Sequence, residues 1–95
     1  MNNIFRALQR GHMTRAQLVE LTGLDDRTVR ERIEELRREG VPICSSLSGG
    51  YFIAQTWDEL ESFLNRYRRT ATKVLSTANK MAKAYARGGQ YEIHL

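Results

Sequence analysis

The chain of 95 residues is 41% hydrophobic and 27% charged, with a formal net charge of +4, which predicts one globular domain with at most an appendage and excludes a disordered chain. No apolar run approaches the roughly 20 residues that span a bilayer, and the N-terminus lacks the apolar core of a signal peptide, so we expect a cytoplasmic protein with no membrane partner. The single Cys44 has no partner for an internal disulfide, which is typical of a reducing compartment.

Three helices are predicted first, from Asn2 to Arg10, from Thr14 to about Thr22 and from Asp25 to about Glu39. Thr14 and Asp25 are suitable N-caps, because their side-chain oxygens accept hydrogen bonds from free backbone N–H groups. Gly23 suits the left-handed conformation that ends a helix, and Gly40 with Pro42 ends the third one. The second and third helices therefore form a helix-turn-helix, whose second helix can enter a DNA major groove.

Two short strands, Ile43–Ser46 and Tyr51–Ala54, are predicted to follow around a Ser/Gly turn. Three helices and a β-hairpin make a winged helix. From Asn3 to Ala54 the sequence resembles the helix-turn-helix type 11 group, which includes the N-terminal domain of the biotin operon repressor. The residues that carry the resemblance are Thr22-Gly23-Leu24, Arg27-Thr28-Val29-Arg30, Ile33-Glu34-Glu35-Leu36, Glu39-Gly40-Val41-Pro42-Ile43 and Gly49-Gly50-Tyr51-Phe52-Ile53. The resemblance implies a DNA-binding domain of the kind found in small phage and bacterial regulators.

Helical geometry places Val29, Ile33 and Leu36 on the inner face of the third helix. The outer face then carries Arg27, Glu31, Glu34 and Arg38. By resemblance, Arg27, Thr28 and Arg30 match exposed positions of a recognition helix, and Arg15 is placed to bind a phosphate. The residues predicted to contact double-stranded DNA are Arg15, Arg27, Thr28, Arg30 and Arg38.

Acidic residues argue against a strong DNA-binding surface. Asp25 and Asp26 lie where the third helix begins, Glu31 and Glu34 lie on its outer face, and the wing turn has no Lys or Arg. The alternative hypothesis is therefore a protein–protein adaptor of the replication machinery that keeps the winged-helix scaffold. A third hypothesis is a subunit that docks on an acidic partner.

One long helix, from Thr56 to Arg87, is predicted after the wing, with a capping box formed by Thr56 and Glu59. Apolar or small residues recur along this helix at alternating spacings of 4 and 3, which is a heptad seam. The seam residues are Leu60, Leu64, Tyr67, Ala71, Val74, Ala78, Met81 and Tyr85. A second copy of the helix is the simplest cover for this stripe, so we expect a homodimer or a higher homo-oligomer. The alternative is a helix that folds back onto its own domain.

Positive charge is concentrated on this helix. Residues 57–87 contain seven Lys or Arg against three acids, whereas residues 1–56 contain eight Arg and seven acids. The far side of the helix from the seam carries Arg66, Arg69, Lys73, Lys80, Lys83 and Arg87. This basic face is either a solvated helix surface or a surface that contacts phosphates or an acidic protein.

The last six residues, Gln90–Leu95, allow three interpretations: a strand that adds to a sheet edge, a disordered end, or a peptide similar to those with which bacterial replication proteins bind the sliding clamp. The clamp-binding pattern is matched by Gln90, Ile93 and Leu95, whereas Tyr91 stands where Leu is more usual.

No residues have the spacing of a metal site, a phosphate-binding loop or a catalytic group, so we expect no cofactor and no enzyme activity. The predicted organisation is a winged helix-turn-helix domain over residues 1–55, an oligomerisation helix over residues 56–88 and a tail over residues 89–95. The predicted fold class is mainly α with a small β-hairpin. The sequence favours a dimeric phage- or prophage-type regulator of transcription or replication.

Overall fold

The structure, a computed structural model, describes residues 3–88. Its elements in chain order are α1 (Asn3–Leu8), β1 (Met13–Thr14), α2 (Arg15–Thr22), α3 (Asp26–Arg38), β2 (Ile43–Ser45), β3 (Gly50–Ile53) and α4 (Trp57–Ala86). The predicted fold class, mainly α-helical with a small β-hairpin and a long C-terminal helix, is confirmed. The chain divides into two compact units, the first ending at Phe63 and the second beginning at Leu64.

The sheet has three antiparallel strands in the order β1-β3-β2, one more than the sequence predicted. The extra strand β1 contains two residues, Met13, which lies between the first two predicted helices, and Thr14, the predicted N-cap of the second. Met13 lies opposite Tyr51, and Thr14 lies opposite Gly50. A two-residue strand has no alternating pattern of its own, because its pairing depends on β3, which lies more than 35 residues further along the chain.

The core of the first unit lies between the three short helices and the sheet. Its buried members are Ile4, Ala7, Leu8, Leu18, Val29, Ile33, Leu36 and Ile43. Five of these eight residues are β-branched or leucine side chains on α2, α3 and β2. The hydrophobic stripe of α3 is therefore what attaches this helix to the rest of the unit.

Both predicted N-caps of the helix-turn-helix are confirmed. The Thr14 side chain accepts a hydrogen bond from the Gln17 N–H at 3.1 Å, and the Gln17 side chain accepts one from the Thr14 N–H at 2.8 Å. The Asp25 carboxylate accepts from the Thr28 N–H at 2.7 Å. Gly23 adopts the predicted left-handed conformation, with φ of 72°.

The boundaries differ slightly from those predicted. Helix α1 ends at Leu8 rather than Arg10, because the N–H groups of Arg10 and Gly11 bond three residues back and tighten the chain into a turn. Each wing strand also ends one residue earlier than predicted, at Ser45 and at Ile53.

Helix α4 is continuous over 30 residues. At its start the Thr56 hydroxyl accepts from the Glu59 N–H at 3.2 Å, as a capping box requires. The second bond of the capping box, from a backbone N–H to the Glu59 side chain, differs from the predicted one. The Glu59 carboxylate accepts from the N–H of Gln55, one residue upstream of the cap, at 3.2 Å. The helix start is stabilised by both bonds.

Candidate nucleic-acid interface

A short turn at residues 23–25 joins α2 to α3 and sets the start of α3. The Thr22 hydroxyl donates to the Leu18 carbonyl at 2.6 Å and accepts from the Leu24 N–H at 3.2 Å, which fixes the end of α2. Asp25 then caps α3, and hydrogen bonds from the side chain and backbone of Thr28 lower the pKa of its carboxyl below the ordinary value of 3.8. The first turn of α3 is therefore held by a cap that stays ionised at neutral pH.

The inner face of α3 is as predicted. Val29, Ile33 and Leu36 are buried, with at most 5% of their surface exposed. The predicted outer residues Arg27, Glu31 and Arg38 are exposed, and Glu34 is half-buried. The outer face thus presents two arginines and two glutamates, so its formal charge is zero.

Asp26 connects two of the predicted DNA-contacting arginines. Its carboxylate forms an ion pair with the guanidinium of Arg15, from the start of α2, and another with that of Arg30, one helical turn along α3, at 3.4 Å. A hydrogen bond with Tyr51 and the charge of Asp26 raise the pKa of Arg15. All three charged side chains are about half exposed to solvent, at 47–57%. Asp26 therefore forms ion pairs with arginines of both α2 and α3.

The other predicted contact residues have different surroundings. The Arg27 Nε donates to the Glu31 carboxylate at 3.1 Å, along the exposed side of α3. Thr28 is half-buried, and its side chain forms a hydrogen bond with the Asp25 carboxylate. Arg38 is exposed and forms no ion pair within residues 3–88.

The wing turn is held by hydroxyl groups rather than by charged residues. The Ser46 hydroxyl accepts from the Gly50 N–H at 2.9 Å and lies 3.0 Å from Nε2 of His12. His12 also stacks on Phe52, with 6.5 Å between ring centroids. Gly50 is buried, and a Cβ at this position would overlap the His12 ring. His12 thus attaches the wing turn to the segment that precedes β1, a role that the sequence does not predict.

Arg37 is a second residue whose role the sequence did not predict. Its Nε donates to the Ile43 carbonyl at 2.9 Å, and another guanidinium nitrogen donates to the Ser45 hydroxyl at 3.1 Å. The guanidinium carbon lies 4.9 Å from the centroid of the Phe63 ring and 6.0 Å from that of Tyr51. With only 16% of its side chain exposed, Arg37 joins α3 to the wing and is not available to DNA.

The predicted oligomerisation residues share one stripe of α4 and are mostly exposed. Tyr67, Val74, Met81 and Tyr85 expose 43%, 65%, 67% and 82% of their surface. Ala71 and Ala78 are exposed as well, and Leu60 and Leu64 are half-buried. Leu75, which flanks the stripe, is 62% exposed. The described part of the chain therefore leaves most of this apolar surface without cover.

Residues 3–88 contain no group of three or more His, Cys, Asp or Glu that could hold a metal ion, and Cys44 is buried as a free thiol. Within the same residues, no helix combines the length and the hydropathy of a membrane span. The predicted clamp-binding residues Gln90, Ile93 and Leu95 lie outside the described residues.

Residues 2–41 match the model of the winged helix-turn-helix DNA-binding family. This segment is similar to a DNA-binding domain. The match contains α1, α2 and α3 and ends before β2, so it covers the helices of the candidate interface. Comparison with curated proteins and with solved structures finds no match to the chain.

Proposed function

We propose that this protein is a DNA-binding regulator that places α3 in the major groove. The observation that carries the proposal is the match of residues 2–41 to a DNA-binding family, together with an α3 whose inner face is buried and whose outer face is exposed. At the finer level, we propose a dimeric phage- or prophage-type regulator of transcription or replication, which acts in the cytoplasm and is related to the helix-turn-helix type 11 group.

Arg27, Arg30 and Arg38 are the proposed contacts from α3, with Thr28 beside them and Arg15 from α2. Three of these arginines form ion pairs with Asp26 or Glu31. Solvent-exposed ion pairs contribute little to stability, so a DNA phosphate can replace a carboxylate at small cost. The pairs also hold the side chains at the helix surface before DNA binds. Binding therefore consists of an exchange of carboxylates for phosphates, and we expect it to depend strongly on salt.

The test is a titration of the protein into labelled mixed-sequence duplex DNA, followed by fluorescence anisotropy at about 50 and about 200 mM salt. Each neutralised phosphate contributes about 0.9 to the slope of log affinity against log salt, so a fourfold rise in salt weakens binding about 3.5-fold per contact. Replacing Arg27 and Arg30 by Ala should weaken binding and flatten this dependence. Arg10→Ala, which removes one positive charge outside α3, is the control for each of the two single replacements. Absence of binding by the folded protein at about 50 mM salt would overturn the proposal.

Self-association through α4 is the second part of the proposal. The stripe of large exposed side chains repeats every seven residues, which is the pattern that a partner helix covers. Val74 lies at the centre of the stripe, and Lys73 lies beside it on the basic face. In sedimentation experiments Val74→Glu should shift the protein to the monomer, whereas Lys73→Glu should leave it associated. A wild-type protein that sediments as a monomer at about 100 µM would overturn this part.

A protein–protein adaptor is the alternative function. The observations that favour it are the zero formal charge of the outer α3 face and the wing turn at residues 46–50, which has no basic residue. In that case the partner is a replication protein, and the terminal residues Gln90, Ile93 and Leu95 bind the sliding clamp. A synthetic peptide of residues 90–95 that fails to bind purified clamp at high micromolar concentration would exclude the clamp interaction.

A further inference from the structure

We infer that two copies of α4 pair in antiparallel orientation, with residues 72 and 73 of each copy at the two-fold axis. The inference rests on the proposed self-association through α4 and adds the orientation and the register. The spacing of the seam residues in α4 permits this register, and two observations favour it: the sizes of the seam residues and the distribution of charge along the helix.

The seam has the same spacing when it is read from either end. From Leu60 to Tyr85 the intervals are 4, 3, 4, 3, 4, 3 and 4, and α4 is continuous through all of them. An antiparallel partner can therefore align every seam residue with one of its own. The resulting layers pair Leu60 with Tyr85, Leu64 with Met81, Tyr67 with Ala78 and Ala71 with Val74. The last three layers lie entirely in the second compact unit.

Side-chain size favours this alignment over a parallel one. In the antiparallel register the large ring of Tyr67 meets the small side chain of Ala78, and Ala71 meets the medium-sized Val74. A parallel register would place each residue opposite its own copy. It would stack two Tyr67 rings in one layer and leave two alanine pairs in others. Because helix interfaces pack at the density of protein interiors, the uneven parallel layers would leave voids at Ala71 and Ala78.

Charge favours the same orientation. The first turns of α4 carry Asp58, Glu59 and Glu61, whereas residues 66–87 contain seven Lys or Arg and no acid. Parallel copies would place the two basic segments side by side. Antiparallel copies place the acidic first turns of one helix level with the last basic residues of the other, Lys80, Lys83 and Arg87, which lie on the faces away from the seam. Exposed charges contribute modestly to the stability of the pair and are screened by salt. Repulsion between the like-charged basic segments still disfavours the parallel orientation.

The orientation can be measured with spin labels at three solvent-facing positions that share one heptad position, Lys73, Lys80 and Arg87. Each is replaced by Cys in turn, in a Cys44→Ala background, and electron paramagnetic resonance gives the distance between the labels of the two copies. At 1.5 Å per residue, the axial separations in the proposed register are about 2, 22 and 44 Å. The distance should therefore lengthen in the order Lys73, Lys80, Arg87. Adding Val74→Glu to the protein labelled at residue 80 should abolish the coupling, which confirms that the seam produces it.

Three other results are possible, and each would overturn the inference for a different reason. Equal distances at all three positions would show a parallel pair, with the self-association intact. A minimum at Lys80 or Arg87 would show an antiparallel pair in another register. No coupling at any position, with sedimentation as a monomer, would overturn self-association itself. DNA binding is measured separately on the same unlabelled variants, so its failure cannot be mistaken for any of these outcomes.

Discussion

Replacing Asp26 by Asn should make the protein bind DNA more tightly and with a steeper salt dependence. Asp26 forms ion pairs with Arg15 and Arg30, both of which we propose as DNA contacts. The amide of Asn keeps the size of the side chain but removes its charge. Both guanidinium groups can then bind phosphates without displacing a carboxylate, and one negative charge near the DNA is lost.

The magnitude follows from counterion release. Each added phosphate contact multiplies the loss of affinity between about 50 and about 200 mM salt by about 3.5. In the unsubstituted protein, DNA binding frees the Asp26 carboxylate, which takes up about one salt cation and so offsets about one phosphate contact. Removing this one charge should therefore multiply that loss by about 3.5 relative to the unsubstituted protein. The fold should be retained, because exposed ion pairs contribute little to stability.

The assay is anisotropy with one duplex at several salt concentrations, with circular dichroism melting of each variant as the check on folding. Glu20→Gln is the matched control, since Glu20 is an exposed acid of α2 that forms no ion pair within residues 3–88. The control should keep the salt slope of the unsubstituted protein. An Asp26→Asn variant that is folded and binds with an unchanged or shallower slope would refute the view that Asp26 competes with DNA for these arginines.

Two further predictions concern the scaffold of the interface. Arg37→Ala should lower the free energy of unfolding by about 2 kcal/mol, because it removes two hydrogen bonds from a mostly buried cation, and the melting temperature should fall by about 10 °C. Asp25→Ala should destabilise the protein at pH 7, and the difference from the unsubstituted protein should shrink only as the pH falls below the ordinary carboxyl pKa of 3.8, measured by thermal melting across pH. The sign follows from the lowered pKa of Asp25 in the folded state: its stabilisation is present above the ordinary pKa and is lost as the pH falls through the folded value.

Each of these predictions has a control on the same helix. Arg32→Ala removes an exposed arginine of α3 and should change the melting temperature little; equal losses for Arg32 and Arg37 would contradict the structural role of Arg37. Asp25→Asn keeps a good N-cap that does not titrate, so its stability should change less on acidification. Acid sensitivity equal to that of the unsubstituted protein would assign the effect to another group.

Local signals in the sequence were sufficient for most of the architecture. The caps at Thr14 and Asp25 and the left-handed Gly23 depend on contacts within a few residues, and all three were predicted. The inner face of α3 was predicted as well, because helical periodicity alone determines which residues share a side. The resemblance of the segment from Asn3 to Ala54 to a known family implied a DNA-binding domain, and the family match of residues 2–41 supports the DNA-binding class.

The missing parts of the site depend on residues that are distant in the chain. Strand β1 exists because Met13 and Thr14 pair with Tyr51 and Gly50, and no pattern within two residues can indicate that. The neighbours of Arg37 in the sequence do not indicate its role, because its Nε donates to the carbonyl of Ile43 in the wing, at 2.9 Å.

What the sequence determined by itself is the order of the helices, the caps of α2 and α3, the buried stripe of α3 and the heptad spacing along α4, because each is fixed by residues within one segment. Only the tertiary structure decided how the charged residues are used. In the sequence Asp26 is an acidic residue at the start of α3, and only the fold shows that it pairs with Arg15 of another helix. Ion pairs and hydrogen bonds between elements depend on distances of a few ångströms across the fold, and those distances are set by the packing of the core rather than by neighbours in the chain.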